Sequence, residues 1–302
     1  MEKTNALPDP PGRLIDIGGY RLHLKSQGTG SPAAVLDSGL VGNSIIWTNT
    51  LSALGKQTQA CAFDRAGYAW SEPAPPDVPR TSLQIVEELR TLLTEAGVQP
   101  PYILLGHSFG AINMLVYAYQ HPNEVAGMVL VDPSHPEMFE RMPGVPPPKP
   151  VERGFRMISS LGRLGLLRLI GPLLARQLLP DGQEALPAEA WEALVFFARR
   201  SDDFRTAARE ASFGIENFAA ARGASGSLGD LPLEVLSADY WTTGKATPMK
   251  RAAIELREEM AQLSSRGRHL VVTGCDHTNL PVVRADAVAD SVRHVLELLR
   301  SN

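Results

Sequence analysis

Short apolar runs alternate along the chain with stretches whose apolar residues recur every three or four positions. In the first 132 residues, runs at 14–17, 20–26, 33–37, 58–63, 102–105 and 128–131 predict strands. The first two flank Gly18-Gly19, which suits the tight turn of a hairpin. The stretch 81–96 carries Leu83, Val86, Leu89, Leu92 and Leu93 on one side, with Thr81 or Ser82 to cap it, and predicts a helix. Further helices are expected at 45–54 and 111–119. Alternation of this kind implies a mainly parallel sheet covered on both faces.

The pattern then changes. The segment 143–150 holds five prolines, too many for a helix or strand interior. From 151 to 227 the chain reads as almost entirely helical, with no β-branched run. Strand signals return after Gly229, at 233–236 and 269–272, with helices at about 249–263 and 285–299. These shifts predict one core made of residues 1–132 and 229–302, with 133–228 inserted between its two halves.

Composition narrows the function. The chain has 302 residues, 44% hydrophobic and 21% charged, as in ordinary globular proteins. A net charge of −4 gives no electrostatic case for nucleic acid or an anionic membrane as partner. Cys61 and Cys275 lie far apart, without metal-type spacing, and read as reduced core thiols. Residues 1–13 are polar and proline-rich, and no apolar run approaches a membrane span. A cytoplasmic protein is expected, with neither metal nor organic cofactor and no internal repeat. A homodimer is compatible with this composition.

The chemistry is most legible at Gly106-His107-Ser108-Phe109-Gly110, which sits between a predicted strand and a predicted helix. That context makes Gly-x-Ser-x-Gly a nucleophile elbow: a sharp turn that holds the serine hydroxyl out above helix N–H groups, with glycines where side chains would obstruct it. A serine hydroxyl needs a base, and the base an orienting carboxylate. His277, in the loop after the last strand, is the expected base. His23, His269 and His294 read as structural, His107 is expected to point away from the hydroxyl it flanks, His121 ends the elbow helix, and His135 is a pocket-lining candidate. Two acids compete, Asp132 and Asp239, each closing a predicted strand; Asp132 is preferred and Asp239 is the alternative. Asp276 is too close to His277 in sequence to orient it. The N–H of Phe109 and that of Leu40, in the glycine-rich loop 37–42, are the expected oxyanion donors.

Taken together, these residues resemble an α/β-hydrolase fold enzyme. Besides the elbow, Asp64-Arg65-Ala66-Gly67-Tyr68-Ala69-Trp70-Ser71 is similar to a turn that many members carry after the fourth strand. Ser38-Gly39 stands where many have His-Gly, and Gly274-Cys275-Asp276-His277 resembles the catalytic-histidine loop. The resemblance implies an α/β-hydrolase fold: a mostly parallel eight-stranded sheet, antiparallel at its start, with helices on both faces and an inserted helical cap at 133–228. Ser38 in place of histidine implies an oxyanion loop held differently. The strand after the cap lacks the usual Gly-x-x-Asp, which favours Asp132, an arrangement some subgroups share. Serine at the elbow argues against dehalogenase or epoxide hydrolase chemistry, which uses Asp there.

In the cap, Leu161, Leu164, Leu166, Leu167, Leu169, Ile170, Leu173, Leu174 and Leu178 are interspersed with Arg156, Arg163, Arg168 and Arg176. Such a segment could lie on a membrane, but packing as a roof over the site is the preferred reading. Phe155, Met157, Trp191, Phe196, Phe197 and Phe213 are expected to supply an apolar pocket. The expected activity is that of a serine hydrolase acting on a small to medium, uncharged, hydrophobic carboxylic ester. An acyltransferase, a C–C hydrolase, a perhydrolase or a non-catalytic small-molecule receptor could use the same frame. A peptidase would need acidic cap groups such as Glu137, Glu140 or Glu152.

Overall fold

In the computed structural model the described residues are 7–223 and 226–301. Part of the proline-rich start (1–6) and two residues of the helical stretch (224–225) lie outside them. Eight strands form one sheet: β1 (Arg13–Asp16), β2 (Arg21–Gln27), β3 (Ala33–Asp37), β4 (Ala60–Phe63), β5 (Tyr102–His107), β6 (Val125–Val131), β7 (Leu233–Ala238) and β8 (Gly267–Val272). Their order is β1-β2-β4-β3-β5-β6-β7-β8. The pairs β1–β2 and β2–β4 are antiparallel and all others parallel. This is the α/β-hydrolase fold that the resemblance implies.

Period-two alternation divides the core. Ile103 and Leu105 of β5, with Val129 and Val131 of β6, face helices α1 (Thr48–Leu54) and α13 (Ala285–Arg300). Tyr102 and Leu104, with Met128 and Leu130, face α2 (Ser82–Ala96) and α3 (Phe109–Gln120). Both faces of the sheet are thus covered, which explains why β3, β4 and β5 are buried at every position. The Thr81 side chain accepts from the Gln84 N–H and caps α2, and Gly97 ends it in a left-handed conformation.

Between β6 and β7 run α4 (Met138–Arg141), α5 (Pro148–Arg163), α6 (Leu167–Leu178), α7 (Gly182–Ala185), α8 (Ala188–Ala198), α9 (Asp202–Ser212) and α10 (Gly214–Ala220). α11 (Pro248–Ala261) and α12 (Leu280–Val283) lie in the second half of the core. Two sequence expectations differ here. The proline-rich segment does not stay outside helix: α5 begins at Pro148, because a proline in the first turn lacks only an N–H that would be unpaired anyway. Of the nine apolar residues expected to roof the core, Leu167 alone is buried. Leu174 and Leu178 are half-buried, and the other six are exposed.

α9 fastens the inserted helices to the loop after β4. Asp203, Thr206 and Glu210 recur at helical spacing along its inner face. Thr206 Oγ1 donates to the Gly67 carbonyl (3.1 Å), and the Ala69 N–H donates to Asp203 Oδ1 (3.1 Å). The Arg209 guanidinium donates to the carbonyls of Ala74, Pro75, Pro76 and Val78. All of these core partners lie in the loop after β4.

Burial pushes the Asp203 carboxyl up to about 7; the nearby Asp64 adds to this, and the Ala69 N–H opposes it. A carboxyl whose folded value exceeds its unfolded one contributes stability at low pH and loses it as pH rises through the folded value. Asp203→Asn should therefore raise unfolding stability at pH 8 by on the order of 2–4 kcal/mol in urea titrations, and the gain should shrink towards zero by pH 4. An equal effect at both pH values would contradict this origin.

Candidate active site

Parallel pairing sets the site. In the β5–β6 register, Gly106 is opposite Leu130 and His107 opposite Val131, so the next residues, Ser108 and Asp132, emerge side by side. Both have positive φ, 52° at Ser108 and 40° at Asp132. Each such position costs about 1–3 kcal/mol and persists only where its surroundings impose it. At the Ser108 turn those surroundings are visible. A Cβ on Gly106 would come within 2.5 Å of the Ala111 Cα, and one on Gly110 within 2.6 Å of the Asp37 carbonyl. α3 starts immediately after Ser108, so its free N–H groups face the hydroxyl.

The loop after β8 brings His277 across both residues. Its Nε2 lies 3.0 Å from Ser108 Oγ, and its Nδ1 lies 2.5 Å from Asp132 Oδ2. With the hydroxyl donating to Nε2, Nδ1 carries the proton and donates to the carboxylate. Asp132 is fully buried and also accepts from the Ala238 N–H (3.0 Å), Trp241 Nε1 (2.9 Å to the nearer oxygen) and Arg257 Nη2 (3.3 Å). Burial alone would raise its pKa. The Arg257 charge and the bonds from His277 and Trp241 outweigh that and hold the carboxyl well below the usual range.

Asp239 does something else. It accepts from the N–H groups of Gly274 and Cys275 and fixes the backbone ahead of His277. Asp276 accepts from the N–H groups of Thr278 and Asn279 within its own turn. His107, expected from the sequence to point away from Ser108, donates from Nε2 to the His277 carbonyl (2.7 Å) and so holds the loop from the opposite side. Burial and the neighbouring His277 push it down to about 4, which leaves it neutral. His135 lines neither cavity beside Ser108; its Nδ1 accepts from the Glu137 N–H.

The loop 37–42 meets Ser108 from the third side, close enough that a Cβ on Gly39 would lie 3.0 Å from the Ser108 Cβ. Neither the Leu40 nor the Phe109 N–H donates to an acceptor among the described residues. Arg65 holds this loop in place of a histidine. Its guanidinium donates to Asp37 Oδ1 (2.6 Å), to the carbonyls of Ser38 (2.6 Å) and Gly39 (3.0 Å), and in fork geometry to both oxygens of Glu210 (2.9 Å each). Tyr68 OH donates to the same Glu210 carboxylate (2.9 Å), and Asn113 to Asp37. Glu210 belongs to α9, so one buried ion cluster ties the inserted helices to the loop beside Ser108. Arg65, Glu210, Arg257 and Trp241 were not singled out from sequence. The partners named above are 26 to 145 residues away, and only the Asp64–Ser71 turn hinted at Arg65.

Two cavities of about 180 Å³ each meet at Leu40 and Ser108. One is apolar, walled by Phe109, Met138, Phe139, Val145, Pro148 and Phe218. The other is more polar and includes Asn43, His107 and Thr278. None of the residues expected to supply the pocket lines either: Met157 is exposed, and Phe197 packs edge-on against Trp70. Glu137, Glu140 and Glu152 are paired with Arg141, Arg222 and Arg156 and line neither cavity. No cluster of His, Cys, Asp or Glu among the described residues has the arrangement to hold a metal ion.

The sequence profile described as alpha/beta hydrolase fold matches residues 35–223. The uncharacterized protein YbdG of Bacillus subtilis is 28% identical over 166 residues, 54% of this chain and 50% of that protein. An AB hydrolase superfamily protein of Gibberella zeae is 29% identical over 114 residues, 37% of this chain and 35% of its own. The chain spans half or less of the length of the curated relatives it matches first. Among solved structures, a thermophilic esterase from Thermogutta terrifontis aligns with a TM-score of 0.65 at 18% identity, covering 93% of this chain and 94% of that one.

The geometry predicts a selectively reactive serine. A fluorophosphonate should modify Ser108, located by peptide mass. Asp132→Asn should slow labelling by on the order of 10³-fold or more, through the wrong imidazole tautomer, and Asp239→Asn by no more than about tenfold. Equal losses would mean that Asp132 does not orient the base.

Proposed function

This chain belongs to the α/β-hydrolase fold family, and on that premise we propose that it is a serine hydrolase of small to medium, uncharged, hydrophobic carboxylic esters. Ser108, His277 and Asp132 are its triad, and residues 133–228 are its cap. The observation that carries the reading is the unbroken line of contacts from Ser108 Oγ through His277 to Asp132 at a strained elbow.

In the proposed reaction His277 Nε2 takes the Ser108 proton as Oγ attacks the ester carbonyl. The Leu40 and Phe109 N–H groups receive the developing oxyanion. They cost nothing to reorganise if they are already in place. The imidazolium then gives its proton to the departing alkoxide, leaving an acyl-serine. A water attacks that ester with His277 again as base, and collapse returns the proton to Oγ and releases the acid. Asp132 stays ionised throughout and stabilises the imidazolium.

The apolar cavity suits the acyl chain, and the more polar one beside His277 suits the alcohol. The one charged side chain lining the apolar cavity, Glu210, is already engaged by Arg65 and Tyr68. Its charge is already balanced by Arg65, which favours an uncharged substrate over a cationic one.

A panel of p-nitrophenyl esters tests this. Short and medium acyl chains should turn over, Ser108→Ala should abolish turnover, and Ala211→Leu, which narrows the apolar cavity, should shift preference to shorter chains. No turnover across the panel would contradict the esterase reading.

A further inference from the structure

We propose that the α5–α6 hairpin is a docking surface for an anionic lipid bilayer. Twelve large hydrophobic residues are exposed among the described residues, and seven of them sit on this one hairpin. Met157 and Leu161 on α5 lead at helical spacing to Leu164, just past its end. Leu166, just before α6, is followed by Leu169, Ile170 and Leu173 on α6. Leu164 is 76% exposed and Leu169 81%. The two helices join at Leu164-Gly165-Leu166, where Gly165 turns at φ +80° and puts two leucines at the tip. Soluble monomers rarely leave so many apolar side chains together in water.

Charge identifies the occupant. The whole chain carries −4, yet residues 148–178 hold Lys149, Arg153, Arg156, Arg163, Arg168 and Arg176 against a single acid, Glu152. All six cations are exposed. Arg156 pairs with Glu152, whereas Arg153, Arg163 and Arg168 have no acidic partner among the described residues. Leucines ringed by unpaired arginines match a surface of phosphate headgroups over acyl chains. The leucines enter the boundary layer while the guanidinium groups stay with the phosphates. A hydrophobic protein partner would explain the leucines but not the excess of cations.

The hairpin also joins the cavities at Ser108. Pro148 and Val151, at the start of α5, line the apolar cavity, and Leu178, at the end of α6, lines the other. A bilayer bound at the tip would thus lie at the end of the same two helices that wall the site. The consequence, that the substrate partitions into lipid, rests on the esterase reading; the docking itself does not.

Co-sedimentation of the full chain with vesicles tests the proposal. Binding should be strong to phosphatidylcholine mixed with phosphatidylglycerol, weak to phosphatidylcholine alone, and should fall as salt rises. Leu164→Ser with Leu169→Ser and Leu173→Ser should lower the partition coefficient about tenfold or more, and Arg163→Gln with Arg168→Gln by about tenfold. All five positions are exposed and line neither cavity, so both variants should keep the thermal unfolding transition of the parent. Ser108→Ala should bind vesicles as the parent does, so a wrong reaction assignment would leave this result unchanged. No binding to the anionic vesicles, or equal binding to both kinds, would overturn the proposal. So would a concentration-dependent dimer in analytical ultracentrifugation that the leucine variant abolishes, because a second copy would then be the occupant.

Discussion

A carboxylate with no access to water is the constraint around which this site is arranged. Asp132 ends a central strand in a strained backbone conformation and would be costly there without compensation. Compensation comes from four directions: the Ala238 amide of the neighbouring strand, the Trp241 indole just after it, the Arg257 guanidinium from α11, and the His277 imidazole. The donors come from three separate elements of the second half of the core. Burying this charge therefore also registers the end of β6 against everything that follows the insertion. Removal of any one donor leaves part of a negative charge unpaired, which typically costs several kcal/mol. The imidazole has a second polar partner on its far side, the Ser108 hydroxyl. In the proposed reaction, the charge that stabilises the fold is the one that stabilises the imidazolium.

A second buried cluster does for the loop 37–42 what Asp132 does for His277. Arg65 grips the Ser38 and Gly39 carbonyls with one side of its guanidinium and Glu210 with the other. A histidine at position 38, frequent in relatives by the resemblance, would leave less need for such a grip. With serine there, the loop is held from beneath and from α9. The position of the proposed oxyanion donors therefore depends on helix α9 being docked. The α5–α6 hairpin is attached differently, with most of its leucines in water. The insertion thus combines a fastened part, which sets geometry, with an apolar and basic part turned outward.

Much of this was legible in the sequence because it is encoded locally. All eight strands follow from runs of alternating or continuous apolar residues, and the elbow from a glycine-bracketed serine between a strand and a helix. Asp132 and His277, which the structure brings together, were named because strand ends and the last loop are positions with a chemical reason to carry such residues. What was missed is non-local. Arg65 and Glu210 are 145 residues apart, and nothing within three or four positions of either marks a buried pair. The outward leucines were read as inward because periodicity reports that a helix has an apolar face, not which way it turns. The cavity aromatics were misassigned for the same reason: Phe109, Phe139 and Phe218 converge from the elbow helix and two short helices, whereas Phe197 belongs to the core behind them. The helix start at Pro148 was missed because proline was weighed as a breaker and not as a first-turn residue.

The account stands on Ser108 becoming transiently esterified. Its most direct test is the mass of the chain quenched in acid during turnover of a p-nitrophenyl ester, followed by sequencing of the modified peptide. The account predicts a gain equal to one acyl group, located on Ser108. An acyl group on any other residue, or turnover that continues at full rate after Ser108 has been phosphonylated, would contradict it.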